Sequence, residues 1–130
     1  MDYKIDSDGT KYWYKKDKLH RLDGPAIENA DGSKYWYKEG KLHREDGHAC
    51  EYLNGDKRHY KEGKLHRIDG PAVEDTNGSK YWYKEGKLHR TDGPACEWFN
   101  GDKTYFYLDK RIDCNSNEEY FKLLKLKAFW

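Results

Sequence analysis

The chain is poor in the side chains that build an ordinary protein interior. Its 130 residues include ten Leu, four Ile, four Phe, one Val and one Met. No window approaches the roughly 20 apolar residues of a membrane span, so no membrane association is expected. Neither sign of charge dominates. The 25 Lys and Arg stand against 24 Asp and Glu, leaving a net charge of +1, which argues against a polybasic nucleic-acid binder or an acidic tail protein. Cysteines number three, an odd count with spacing that fits no disulfide framework and points to a reducing compartment. The N-terminal stretch MDYKIDSDGT is polar and carries no visible signal peptide.

A hydrophobic fraction of 35% with a mean hydropathy of −1.30, read alone, describes a disordered chain. What is abundant opposes that reading. There are 12 Tyr, 5 Trp and 4 Phe, and each ring can bury roughly 150–250 Å². The expected core is a thin layer of Tyr and Trp.

Self-similarity dominates the chain. Gly9, Gly32, Gly55, Gly78 and Gly101 are each 23 residues apart. From each runs the motif G-x-K-Y-W-Y-K-x-G-K-L-H-R-x-D-G-P-A-x-E-x-x-N, complete over 9–31, 32–54, 55–77 and 78–100 and decaying in a fifth copy after Lys110. A longer period lies inside it: copies 2 and 4 end CEYLN and CEWFN, whereas copies 1 and 3 end IENAD and VEDTN. Alternation over 46 residues implies that the two kinds of unit meet different neighbours.

Turn chemistry sets the fold class. Asp31-Gly32, Asn54-Gly55, Asn77-Gly78 and Asn100-Gly101 read as two-residue type I′ hairpin turns. Asp-Gly-Pro at 23–25, 69–71 and 92–94 marks a second bend, and Glu-Gly-Lys at 39–41, 62–64 and 85–87 a third. The expected architecture is all-β: an elongated single-layer antiparallel ribbon of 23-residue hairpin repeats, with about two short strands per unit. Residues 1–8 read as a lead-in strand, 9–114 as four full repeats plus the degenerate fifth, and 115–130 as a C-terminal capping helix. The helix rests on the S-x-x-E capping box of Ser116 to Glu119 and the run to Lys127, roughly 116–128. A cap suits the unpaired end of an array.

The run Tyr37-Lys38-Glu39-Gly40-Lys41-Leu42-His43, repeated at 60–66 and 83–89 and, with Asp17 in place of the glycine, at 14–20, resembles a MORN-type repeat in the bacterial and phage variant W-Y-x-x-G-K-L-H-R-x-D-G-P-A. The likeness covers about residues 9–110. It departs from the family where a Tyr-x-Gly-x-Trp strand is usual and this chain has Tyr-Trp-Tyr. The resemblance implies a twisted antiparallel β-ribbon serving as a scaffold or binding module. It also implies a small accessory or anti-defence (anti-CRISPR-like) protein, cytoplasmic in a bacterium or in an infected host.

His20, His43, His66 and His89 form one column. At two strands of ~4.8 Å per unit, successive members lie about 9–10 Å apart, too far to share one zinc ion, and no metal site and no cofactor are expected in the chain. Each His is expected to bond the Asp of its own bend, Asp23, Asp46, Asp69 or Asp92. His48 and His59 break the pattern and are candidates for something specific. Cys50 and Cys96 occupy the column of Ile27 and Val73 and read as buried thiols, about 19 Å apart. Every charged pair recurs unit by unit, and no nucleophile or phosphate-loop motif stands out, so no catalytic residue is assigned and no enzyme is expected.

Alternation along K-Y-W-Y-K places Lys11, Trp13 and Lys15, Lys34, Trp36 and Lys38, and Lys80, Trp82 and Lys84 in basic–aromatic stripes. Copy 3 replaces Tyr-Trp with Arg58-His59. Such a stripe could stack single-stranded nucleic acid. The leading expectation is a non-enzymatic module binding a protein partner, or itself as a homodimer, through Trp13, Trp36, Tyr52, Leu53, Arg58, His59 and Trp82. The helix is expected to cover a C-terminal cluster of Trp98, Phe99, Tyr105, Phe121 and Leu124, leaving Tyr52 and Leu53 exposed.

Overall fold

The computed structural model describes residues 3–126. It is a long antiparallel sheet of short hairpins ending in one helix, an all-β repeat ribbon. Each central unit adds two strands of two residues to the long sheet. In chain order these include Ile27–Glu28, Lys34–Tyr35, Cys50–Glu51, Lys57–Arg58, Val73–Glu74, Lys80–Tyr81 and Cys96–Glu97, each paired with its neighbours in that order. The lead-in strand Tyr3–Ile5 pairs with Lys11–Lys15 at one end, and Lys103–Tyr107 pairs with Lys110–Ile112 at the other.

Two strands per unit is therefore an undercount. The segment K-Y-W-Y-K is one strand at 11–15, but in the next three copies it breaks at its middle residue. Tyr37–Lys38 leaves the long sheet to form a separate hairpin with Lys41–Leu42, and Tyr60–Lys61 and Tyr83–Lys84 do the same with 64–65 and 87–88. The break lies where the chain changes partners. Trp36 donates its N–H to Ala49 O of the long sheet and accepts at its C=O from His43 N of the side hairpin. Its two backbone groups serve two different partners. Trp13 makes the equivalent two bonds, but there Tyr3–Ile5 pairs along the strand and keeps it whole.

The turns also differ from expectation. At Asp31-Gly32 and its equivalents only the glycine has positive φ, 99° at Gly32. Gly32 N–H donates to Asn29 O and Asn29 N–H to Ser33 O, a three-residue loop in which the Asp31 carboxylate accepts from Ser33 N–H. The type I′ turns are the Glu-Gly bends, with φ of 51° and 82° at Glu39 and Gly40.

Outside the C-terminal cluster the buried apolar positions are small. Ala26, Ala49, Ala72 and Ala95 are fully buried and form one row; Cys50, Val73 and Cys96 form another. The Tyr and Trp rings of the repeats lie mostly half-buried over these rows rather than forming the interior. Cys50, Cys96 and Cys114 are free, the first two buried, and burial pushes the Cys96 thiol up to about 11.

The helix α1 spans Asn117–Leu126, and residues 127–130 of the expected span lie outside the described residues. Its cap is a shifted box. Ser116 Oγ accepts from Glu119 N–H, while the Glu119 carboxylate reaches Asn115 N–H instead of Ser116. It packs Tyr120 and Leu124 on Tyr105 and Ile112. Tyr105 donates its hydroxyl hydrogen to Asn117 Oδ1 at 2.6 Å, and Tyr120 donates to Arg90 O at 2.6 Å. Among the described residues no helix is long and apolar enough to cross a membrane.

Candidate functional site: grooves between successive bends

Each Arg-x-Asp-Gly bend is organised by its arginine. Arg44 donates from Nε to Asp46, and from Nη1 to His48 O and Glu51. Arg21, Arg67 and Arg90 repeat these three contacts with the equivalent partners, at 2.7 to 3.1 Å. The planar fork satisfies an aspartate two residues on, a carbonyl four on and a strand glutamate seven on, which a point charge could not do. Its flat face lies over an aromatic ring: Arg21 is 3.9 Å from Trp13, Arg44 3.9 Å from Trp36 and Arg90 3.8 Å from Trp82. The glycine of the bend leaves room for this packing. A Cβ at Gly70 would stand 2.9 Å from Arg67 Cζ.

The aspartates are thus held by arginine, and the expected His–Asp pairing does not form. Each histidine instead accepts, through Nδ1, the backbone N–H of the next unit's turn: His20 from Glu39, His43 from Glu62, His66 from Glu85 and His89 from Leu108. The column is a ladder, but its rungs join units.

Between successive bends runs a groove. The first, about 610 Å³, lies between Arg21–Gly24 and His43–Asp46, with Trp36 in its wall. The second, about 670 Å³, lies between Arg44–His48 and His66–Asp69, with His59 at the tryptophan position. The third, about 830 Å³, lies between His66–Pro71 and His89–Asp92, with Trp82. Their framework is constant. The residue after each arginine varies: Leu22, Glu45, Ile68 and Thr91. All four are exposed, Leu22 by 75% and Ile68 by 92%. These bend-tip residues were not singled out from sequence, although a variable position flanked by constant Arg and Asp in every copy was the available signal.

The other predicted residues fall in three places. Trp13, Trp36 and Trp82 each carry a guanidinium on one face, and Trp13 also meets Tyr3 at 5.2 Å. The stripes Lys34–Trp36–Lys38 and Lys80–Trp82–Lys84 straddle the strand break, so their two lysines belong to different sheets. Tyr52 lies on the other edge, edge-on to Tyr35 at 5.7 Å and under Arg58 at 5.1 Å, with Leu53 exposed by 68% beside it. Burial and the neighbouring Cys50 push the Tyr52 phenol up to about 12. Arg58 fills a tyrosine slot and also faces Asp75 at 3.7 Å.

At the C-terminal end the helix takes Tyr105 and Leu124 but not Trp98 or Phe99. Trp98 packs on Tyr81 at 5.2 Å, and Phe99 and Phe121 are exposed. Tyr120 and Ile112, which complete the cluster, were missed. Ile112 occupies a histidine slot of the degenerate unit, and Tyr120 places its ring 4.9 Å from Tyr105 where the other units place a guanidinium.

His59 sits in the second groove against His48, ring centroids 4.3 Å apart. Burial, then the nearby Arg67, lowers its imidazole to about 4. Ligand atoms of His48, His59 and Glu74 all lie within 4.8 Å of one another, a grouping that could hold a metal ion and the one such trio among the described residues.

No protein-family model matches this chain, and no curated protein matches it either.

Proposed function

We propose that the chain is a non-enzymatic repeat module of MORN type that binds an extended segment of a protein partner along its bend edge. The observation that carries this reading is the recurrence of one groove at three successive unit boundaries, built on a constant clamp and varied only at exposed tips. A catalyst concentrates unlike groups in one place; here the same groups are spaced out, and the variable tips Leu22, Glu45, Ile68 and Thr91 alternate in polarity along the row. Such a row reads successive positions of a chain lying across it. Single-stranded nucleic acid requires open ring faces, and a guanidinium already covers one face of Trp13, Trp36 and Trp82.

The test is selection of peptides from a displayed library on the full chain. Selected peptides are expected to lose binding at least tenfold to Ile68→Asp and Leu22→Asp, which alter exposed tips and leave melting unchanged. Leu53→Asp, on the opposite edge, is expected to leave binding intact. Peptides indifferent to both tip variants, or an empty selection beside a salt-sensitive oligonucleotide shift, would sink the proposal.

A further inference from the structure

The middle of the array differs from the rest in two slots at once. The residue after Asp-Gly is proline in three units, Pro25, Pro71 and Pro94, but histidine at His48. The residue at the strand break is Trp36 and Trp82 in the flanking units, but His59 between them. These slots adjoin in space, as the 4.3 Å between the two imidazoles shows. A single His on a ribbon face is an ordinary substitution. Two that together replace the proline and tryptophan of these slots place two imidazoles in contact, and so make a site where the other units have none.

A third ligand completes it. Glu74 on the strand Val73–Glu74 brings a carboxylate oxygen within 4.8 Å of a ring nitrogen of each histidine. The Nε2 of His59 is buried and has no hydrogen-bond partner. His20 Nε2 is equally unpartnered, but among the described residues no trio of metal-ligating side chains forms around it. His59 thus combines an unpartnered, buried ring nitrogen with membership of a trio of metal-ligating side chains.

We infer that His48, His59 and Glu74 bind one divalent transition ion of the zinc class, tying units 2 and 3 together at the centre of the ribbon. Two imidazoles exclude the oxygen-seeking calcium and magnesium as preferred occupants. Tetrahedral ligands about 2.0–2.1 Å from zinc stand roughly 3.3 Å apart, so the trio must close by about 1.5 Å, within reach of side-chain rotation. Glu74 also accepts from Arg67 Nη1 at 2.8 Å through Oε1. That cation is shared with Asp69, so the two carboxylates outweigh it, and Oε2 of Glu74 remains for the ion. Three protein ligands leave a fourth position for water, toward the groove that His48 and His59 line. This inference is independent of the peptide-binding reading.

The experiment uses the full chain stripped with a chelator and titrated with cobalt(II), followed by zinc(II) competition. One equivalent of cobalt should give the visible bands of a tetrahedral site, and zinc should abolish them. His48→Pro and His59→Trp restore the residues that the other units carry, so both variants are built to fold, and circular dichroism verifies it. Each should weaken binding on the order of 10–100-fold, as loss of even an outer-shell partner does, and the double variant should not bind. Glu74→Gln keeps an acceptor for Arg67 and should weaken binding about tenfold on the same scale; unchanged affinity there overturns the three-ligand assignment. A wild-type chain that takes up neither ion, or a double variant that still binds one equivalent unchanged, overturns the site.

Discussion

At Glu39, Glu62 and Glu85 the backbone φ is 51°, 51° and 49°. A residue with a Cβ pays about 1–2 kcal/mol to stand in the left-handed region. The histidine of the preceding unit holds each of these residues there by accepting its N–H, as His43 does for Glu62 at 3.0 Å. A long-range bond thus maintains a locally unfavourable turn. Glu62→Asn should raise stability by about 1 kcal/mol, because Asn tolerates positive φ and Asn-Gly is the favoured pair for a type I′ turn. The glutamate is exposed, so little packing is lost. A higher urea midpoint with an unchanged slope is the expected result; an equal or lower midpoint would show that the turn carries no strain to relieve.

Within the elements, the repeating glycines and the capping box were legible because each is a local backbone demand written in a residue type. Turn class was not. Both hairpin types end their loop on glycine, so the residue type alone does not separate them, and the bond from Glu62 N–H to His43 Nδ1 of another unit is invisible to local turn rules. The expected His–Asp pairs lost to arginine for a similar reason. The Arg44 fork reaches Asp46, His48 O and Glu51 together, and no spacing rule for one pair shows that triple contact. At the candidate site His48 and His59 were visible as exceptions, but Glu74 was not, since it is a constant residue of every unit that becomes a ligand only beside those two imidazoles. The tail was half legible: the helix was evident, yet the residue that docks it, Tyr120, could not be told from its aromatic neighbours. Tyr120 is fully buried and donates its hydroxyl to Arg90 O. Tyr120→Ala should cost about 3–5 kcal/mol, as large aromatic truncations do. It should also undock α1 and promote association through the uncovered end. Tyr120→Phe keeps the packing and should cost about 1–3 kcal/mol for the unpaired carbonyl. Denaturant unfolding with light scattering checks both, and an alanine variant as stable and as monodisperse as the parent would show that the helix is not a cap.

Across the whole molecule each unit touches only its neighbours, so stability is a sum of unit and boundary contributions, and a weakened boundary opens before the rest. The groups able to weaken one are unevenly placed. His48 and His59 share the boundary of units 2 and 3, and His89 lies at that of units 4 and 5. Burial is the first cause lowering all three imidazoles, reinforced by Lys57 at His48, Arg67 at His59 and Lys84 at His89. An imidazole that titrates lower in the folded chain than its ordinary 6.5 leaves the unfolded chain binding more protons below that pH. Its contribution to stability is therefore complete above pH 6.5 and declines as the pH falls toward the folded value, about 4 for His59. The aspartates held low by their arginines, Asp23 and Asp69, withdraw their share only below about 3.8, the ordinary carboxylate value. In chelator-containing buffer, melting should be level above pH 6.5 and decline between there and about pH 4. Amide exchange at Ala49 and Arg44, whose N–H groups donate across the central boundary to Arg58 O and Tyr60 O, should quicken in that window before exchange at Ile27 and Tyr35. The central boundary has two such imidazoles in contact, so protonating either one burdens the other and opens the ribbon from its middle. Uniform quickening along the array, or a melting temperature that climbs on acidification, would contradict this account of where the ribbon is weakest.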